Sequence, residues 1–150
     1  RGAGAARGYD RAMSRVPDVP SRLVTSGLVE LAAGALSGWV FTLTREDPEK
    51  ARDLGIRDPA RIRQWHLDLA ALGTATVAVG MAVPDAPRVA SVALGVGAWT
   101  NAMAFLPLAF KPDIDKHPAY RAFAVGSFVA TTVGFTGMAA TAISRRRRAR

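Results

Sequence analysis

Long apolar stretches dominate the pattern of hydrophobic and polar positions along this chain. Residues 89–110 and 122–144 run for 22 and 23 residues without a charged side chain. In residues 23–44 and 64–84 the only charged side chain is one acid in each stretch. A helix needs about 20 apolar residues to cross a hydrocarbon core of ~30 Å, so the pattern predicts four membrane-spanning helices. They lie at about residues 22–44, 62–83, 88–110 and 119–144.

Four such helices predict an all-α fold, an integral membrane four-helix bundle with antiparallel, up-down topology and both termini on the same side. A water-soluble bundle would carry a polar stripe with residues every three or four positions, and the last two stretches have no such stripe. The membrane domain is predicted to cover residues 21–144. A mobile basic tail rich in glycine, alanine and arginine precedes it at residues 1–20, and an arginine-rich tail follows at residues 145–150.

The connections between the predicted spans contain residues that are typical of helix starts, helix stops and turns. The Asp-Pro pair at residues 47–48 is typical of a capped helix start, and Gly55 offers a stop, so a short helix is predicted over residues 48–54. A second Asp-Pro pair at residues 58–59 predicts that the next long helix begins before the membrane. Two prolines within residues 83–87 indicate a tight turn, which makes the second and third spans a hairpin.

The net charge of +8 lies beside the predicted spans. Eleven Lys and Arg residues fall on the side that holds both tails and nine on the other. This small bias favours cytoplasmic termini in a cell membrane, and juxtamembrane arginines attract anionic lipid. The same placement argues against nucleic acid as a partner. The chain has no cysteine, which excludes disulfides, thiolate catalysis and cysteine-based metal sites.

Small residues form stripes along the predicted spans. Gly27 and Gly34 fall near one face of the first span, while Gly73 and Gly80 follow His66 at steps of seven and share its face. Such stripes let helix backbones approach closely in lipid. Helix packing within one subunit, or in a homo-oligomer, accounts for them.

Three polar side chains inside the predicted spans are candidates for chemistry. Glu30 lies about two turns inside the first span, where a carboxylate is costly unless it is paired or protonated. His66 near the start of the second span either hydrogen-bonds another helix or ligates a metal or haem, with the glycine-lined face leaving room for a flat macrocycle. Asn101 in the third span needs a polar partner. The hairpin brings His66 and Asn101 toward the same membrane face, so the two could share one pocket.

Short motifs around His66 and Asn101 resemble a known family. Residues 63–66, Arg-Gln-Trp-His, with Gly73 seven residues after the histidine, resemble the second helix of the styrene oxide isomerase and hydroxylaminobenzene mutase group. Residues 99–101, Trp-Thr-Asn, lead into aromatic residues and a Lys-Pro pair, as in that group's third helix. The resemblance covers the four-span layout as well.

The resemblance implies a small membrane enzyme, a homo-oligomeric isomerase in which His66 binds the iron of haem b, with Gly73 and Trp99 beside the cofactor. It implies that the ferric centre acts as a Lewis acid on the oxygen of an epoxide or a similar apolar aromatic substrate, for a redox-neutral rearrangement to a carbonyl product. Asn101 and Phe105 would then be the catalytic residues on the substrate side.

Two positions depart from the pattern of the isomerases. Leu72 stands where they carry Asn before the second-helix glycine, and Phe105 stands where they carry Tyr, so two polar groups expected near the substrate are missing. The same residues also agree with two other hypotheses for the function of the protein. One is a non-enzymatic membrane subunit or scaffold whose buried polar side chains hydrogen-bond between helices. Another is a small oligomeric channel or exporter with Glu30 on a water-filled axis.

Overall fold

The computed structural model describes residues 19–150, so most of the predicted basic tail at residues 1–20 lies outside the described residues. Within the described range the chain forms helices and no strands, and the prediction of an all-helical protein is confirmed. The helices are α1 (Arg22–Glu46), α2 (Pro48–Asp53), α3 (Pro59–Ala82), α4 (Arg88–Met103), α5 (Phe105–Phe110), a 3₁₀ helix (Pro112–Lys116) and α6 (Pro118–Arg148).

The two Asp-Pro pairs start helices as predicted. The Asp47 carboxylate accepts a hydrogen bond from the backbone N–H of Lys50 at 3.0 Å, and Asp58 accepts one from Ala60 at 3.0 Å. Each aspartate thereby satisfies an N–H group that lacks a partner within its helix, and the following proline has no N–H to satisfy. Gly55 ends the turn after α2 with a φ of 87°, a conformation that glycine adopts without steric cost.

Among residues 19–150, three helical segments are long and apolar enough to cross a membrane. They are Arg22–Glu46, Arg88–Phe110 and Pro118–Arg148. The first is α1, the second is α4 continued through α5, and the third is α6. The helix α3, which corresponds to the predicted second span, is not among them, because Gln64, His66 and Asp68 make its first half polar.

The predicted third span is broken at Ala104, which separates α4 from α5. Pro107 explains the break, since a proline has no N–H for the carbonyl four residues earlier and its ring crowds that carbonyl, here at Met103. The hydroxyl of Tyr120 on α6 donates to the Ala104 carbonyl at 2.7 Å. A polar side chain from a neighbouring helix therefore satisfies the backbone where the helix is interrupted.

Helices α1 and α3 pack backbone to backbone through glycine. A Cβ atom placed on Gly73 would lie 2.6 Å from the Leu31 nitrogen, and one on Gly27 would lie 2.9 Å from the Gly73 carbonyl oxygen. Further along, a Cβ on Gly34 would lie 2.9 Å from the Ala70 nitrogen. None of these distances leaves room for a methyl group. The glycine stripes therefore serve as helix-packing surfaces, one of the roles that the sequence indicated.

Helices α4 and α6 form a second close pair. A Cβ on Gly97 would lie 2.7 Å from the Thr131 Cα, and one on Gly134 would lie 2.5 Å from the Leu94 nitrogen. The Thr100 hydroxyl adds a hydrogen bond across this pair, donating to Ser127 Oγ at 2.9 Å. Helix α3 also packs against α4, and this contact joins the two pairs.

Large apolar side chains cover the outside of the molecule. Trp39 is 78% exposed, Leu36 70%, Val89 74% and Val125 62%. The buried positions hold many small or polar residues instead, such as the glycines of the helix pairs. A soluble monomer rarely exposes large contiguous apolar surface, whereas apolar exteriors with small residues at helix contacts are typical of membrane proteins. This distribution agrees with the three helices that can cross a bilayer.

The connections between the helices gather at two ends. At one end Arg145 of α6 forms an ion pair with Asp85 of the α3–α4 turn. We call this the arginine end; it comprises residues 19–22, 83–88 and 145–150. At the other, the Ala109 carbonyl of α5 accepts hydrogen bonds from the backbone N–H groups of Arg57, at 2.8 Å, and Asp58, at 3.0 Å. We call this the loop end; it comprises residues 46–58 and 109–118.

Candidate functional site

His66 on α3 is held by hydrogen bonds to α1. Its Nδ1 atom lies 2.9 Å from the Gly34 carbonyl oxygen and 3.1 Å from Ser37 Oγ. The Ser37 hydroxyl itself donates to the Gly34 carbonyl at 2.7 Å. Since a carbonyl oxygen only accepts, this network assigns a proton to Nδ1. In the neutral imidazole, Nε2 is then the nitrogen that carries the lone pair.

One face of α1 positions the imidazole ring. The ring stacks on Phe41 with centroids 5.8 Å apart and planes 18° apart. A Cβ on Gly38 would lie 3.3 Å from His66 Cε1, so a side chain at residue 38 would press on the ring. These residues and the two hydrogen-bonding residues recur at helical spacing and share one face of α1. Within residues 19–150, His66 Nε2 forms no hydrogen bond.

This arrangement fits a metal-ligating histidine. Such a histidine has its second ring N–H fixed by a carbonyl or carboxylate, which sets the tautomer and the ring orientation. The Gly34 carbonyl fixes the ring of His66 in this way, and Nε2 remains free to coordinate. In the part of the chain that the structure describes, no three His, Cys, Asp or Glu side chains come together as a metal cluster. His66 could therefore act as a single axial ligand, as in haem ligation.

Gly73, predicted to line a cofactor, lies instead against the backbone of α1 at Leu31 and Gly27. The sequence predicted room for a macrocycle on this glycine-lined face of α3, but helix α1 fills that space. A ligand of His66 would have to approach from the Nε2 edge of the ring.

Asn101 lies near the end of α4, two residues before Met103. The Trp65 indole N–H donates to Met103 Sδ at 3.4 Å, which places the start of α3 beside the end of α4. Asn101 is half-buried, and no hydrogen bond joins it to His66 within residues 19–150. The described contacts of the His66 ring are with α1, at Gly34, Ser37 and Phe41, and a pocket shared with Asn101 stays a prediction.

The described contacts of Trp99 and Phe105 are with residues other than His66. The Trp99 indole N–H donates to Ser26 Oγ at 3.0 Å, near the start of α1. The Arg61 guanidinium carbon stands 6.0 Å from the centroid of the Phe105 ring, within the range of a cation–π contact. The structure therefore does not gather the five predicted site residues into one cluster: Trp99 points to one part of α1 and His66 to another.

Two fully buried polar side chains lie in the middle of the α1–α3 pair. Glu30 and Thr76 are both 0% exposed, and in the described part of the chain neither the Glu30 carboxyl oxygens nor the Thr76 hydroxyl has a hydrogen-bond partner. Each stands three residues after a glycine of the close α1–α3 contact, Gly27 or Gly73, on its own helix. Burying an unpaired polar group costs free energy, so we expect these two side chains to lower the stability of the folded protein.

Several residues that contact the predicted site residues were not predicted from the sequence. Ser37, which fixes His66, follows Gly34 by three residues on the same helix face, and this spacing was a usable signal. Ser26 and Thr76 gave no such signal, because isolated Ser and Thr residues are frequent in apolar helices and often bond to their own backbone. Thr74 does this, donating to the Ala70 carbonyl at 2.7 Å.

The fold and the site define an all-helical protein with helices long and apolar enough to cross a membrane and a histidine held by hydrogen bonds to α1. Comparisons of the chain with protein-family models, with curated proteins and with solved structures gave no match.

Proposed function

We propose that this chain is a four-span membrane protein whose His66 ligates haem b, and that it acts as an isomerase on an apolar epoxide or a similar aromatic substrate. The hydrogen bond from Nδ1 to the Gly34 carbonyl, which leaves Nε2 free, is the observation that carries the proposal. The isomerase activity rests on the resemblance of residues 63–66 and 99–101 to the styrene oxide isomerase group.

Three observations support α3 as the fourth span. Its 24 residues reach about 36 Å at 1.5 Å per residue, it packs along α1, and polar groups crowd only its first half. The Asp85–Arg145 ion pair and the bonds to the Ala109 carbonyl set its two ends at opposite ends of the molecule. The proposed topology is antiparallel, with the arginine end cytoplasmic.

Single-cysteine labelling tests this topology, since the chain has no native cysteine. We expect Ala86→Cys and Ala149→Cys to react with a membrane-impermeant maleimide from one side of sealed vesicles, and Asp53→Cys and Asp115→Cys from the other. The cysteine-free protein is the control for background labelling. Reaction of residues 53 and 86 from the same side would show that α3 does not cross.

In the proposed site, residues of α1 orient the histidine and limit access to it. Gly34 and Ser37 hold the Nδ1 proton, Gly38 leaves space beside the ring, and Phe41 shields one ring face. A bound ferric haem would supply a Lewis-acidic centre for an epoxide oxygen. The membrane setting suits an apolar substrate and keeps water away from a cation-like intermediate.

The absorption spectrum of the protein purified in detergent, after expression with a haem supply, tests the ligation. We expect a Soret band for the wild type and loss of it in His66→Ala, with recovery on adding imidazole. His117→Asn is the matched control, because the other histidine is exposed and only caps α6 through Ala119. Ser37→Ala should keep the band but release haem faster, since one partner of Nδ1 is gone.

Either of two results would exclude ligation by His66: no Soret band in the wild type, or an unchanged band in His66→Ala. Conversion of an aryl epoxide to the aldehyde, measured by gas chromatography on the haem-loaded protein, then tests the isomerase activity separately.

A non-enzymatic membrane subunit is the second candidate, and one observation favours it. The same His66 hydrogen bonds join α3 to α1 and are sufficient as a helix-to-helix contact. That function predicts no cofactor, a loss of stability in His66→Ala, and copurification with a larger complex. The spectrum of the wild type distinguishes the two candidates.

A further inference from the structure

An open groove separates the first halves of α1 and α4, because α1 packs chiefly on α3 while α4 packs chiefly on α6. We call it the α1–α4 groove; its volume is about 550 Å³. The groove has space beside Gly95, where a Cβ would meet nothing closer than Leu23 Cδ1 at 3.6 Å. The lining residues include Arg22 and Arg88 at the mouth, Leu23, Val92 and Val96 along the walls, and Trp99 at the deep end.

The deep part of the groove offers little to a polar ligand. The Trp99 indole N–H is already bonded to Ser26 Oγ at 3.0 Å. The Thr100 hydroxyl is bonded to the Val96 carbonyl at 2.8 Å and to Ser127 Oγ at 2.9 Å. With these polar atoms satisfied inside the protein, the remaining surface suits a hydrocarbon chain.

The mouth of the groove is cationic. Arg22 and Arg88 are both exposed, and within residues 19–150 neither forms an ion pair. They belong to the arginine end, where the described residues carry seven arginines against one acid, Asp85. An anion at this mouth would face two guanidinium groups, which bind phosphate oxygens well.

We propose that the α1–α4 groove binds an anionic phospholipid, with the phosphate between Arg22 and Arg88 and one acyl chain lying against Val92, Gly95 and Trp99. The dimensions agree: from Arg88 to Trp99 the helix rises about 16 Å, roughly half of a ~30 Å hydrocarbon core. Val92 and Val96 are 54% and 52% exposed, so the groove opens onto the apolar exterior where lipid chains lie. The proposal rests on the membrane placement given above.

Lipid retention in detergent tests the proposal. The purified protein is equilibrated with equimolar phosphatidylglycerol and phosphatidylcholine of identical acyl chains, and the bound lipids are counted by native mass spectrometry. We expect preferential retention of phosphatidylglycerol. In the double variant Arg22→Gln, Arg88→Gln the preference should fall by roughly tenfold or more, since each basic side chain adds to the attraction for anionic lipid. In Gly95→Leu retention of both lipids should fall, because the new side chain fills the groove.

Matched controls separate this site from general charge and from free phosphate. Arg146→Gln, Arg147→Gln removes the same charge at the same end but outside the groove lining, and should keep the preference. Excess glycerol phosphate, which lacks acyl chains, should not displace the lipid. His66→Ala should keep the preference too, so that loss of haem and loss of lipid are distinguished.

Three results would overturn the proposal. The first is equal retention of the two lipids by the wild type. The second is an equal effect of the two double arginine variants. The third is lipid retention by Gly95→Leu at the wild-type level.

Discussion

Replacing Gly134 with alanine is expected to prevent stable folding, whereas the same change at Gly126 on the same helix should have little effect. A Cβ on Gly134 would lie 2.5 Å from the Leu94 nitrogen and 2.7 Å from its Cβ, while a Cβ on Gly126 meets nothing within 4 Å. Backbone atoms of α4 cannot move aside as the end of a flexible side chain can. Overpacking of a tight contact typically costs about 1–3 kcal/mol and occasionally more, and this contact is at the severe end.

The two variants are compared by recovery of monodisperse protein on size exclusion in detergent and by thermal unfolding followed by circular dichroism. Both changes add one methyl group to α6 and raise helix propensity equally, so the difference reports packing alone. Equal stability of Gly134→Ala and Gly126→Ala would mean that α4 and α6 do not pack as described.

Replacing Glu30 with leucine is expected to stabilise the protein, by about 1–3 kcal/mol. The side chain is 0% exposed and both carboxyl oxygens lack a hydrogen-bond partner among residues 19–150, so the change removes two unpaired buried polar atoms. Glu30→Gln keeps unpaired polar atoms in the same place and should gain little. Thermal unfolding of the three proteins in one detergent measures the effect.

Ser37→Ala provides the opposite case on the same helix. Its hydroxyl is buried but bonded to the Gly34 carbonyl and to His66, so its removal should destabilise the protein by about 1 kcal/mol. If Glu30→Leu destabilised the protein as Ser37→Ala does, the carboxyl would have a partner, and a functional role for Glu30 would gain support.

Helix starts and glycine contacts could be predicted from the sequence, because each is indicated by a few residues within a single segment. An aspartate before a proline meets the needs of a helix N-terminus in any surroundings, and α2 and α3 begin accordingly. A glycine stripe indicates a close helix neighbour, and the contact of Gly27 with Gly73 is one. The break at Ala104 was missed, although Pro107 was the signal for it, because prolines also occur in continuous spans where neighbouring groups satisfy the freed carbonyl.

The candidate site was less predictable, because it depends on how each helix is rotated about its own axis. The predicted hairpin brought His66 and Asn101 toward the same membrane face, and the Trp65 bond to Met103 shows that the start of α3 lies beside the end of α4. Which helix the His66 ring touches depends on α1, where Ser37 and Phe41 lie on the face that meets α3. A stripe of glycines next to His66 suggested room for a ligand, yet the same absence of side chains let α1 approach and fill that room.

The break at Ala104 also gives α5 a different set of contacts from those of α4. Helix α5 is continuous in space with α4, but its Ala109 carbonyl is bonded twice to the segment that leads into α3, at Arg57 and Asp58. A bend at Ala104 would therefore carry the start of α3 along with α5, and His66 lies only two turns further on. The two hydrogen bonds to the Ala109 carbonyl therefore tie the position of α5 to the start of the helix that carries His66.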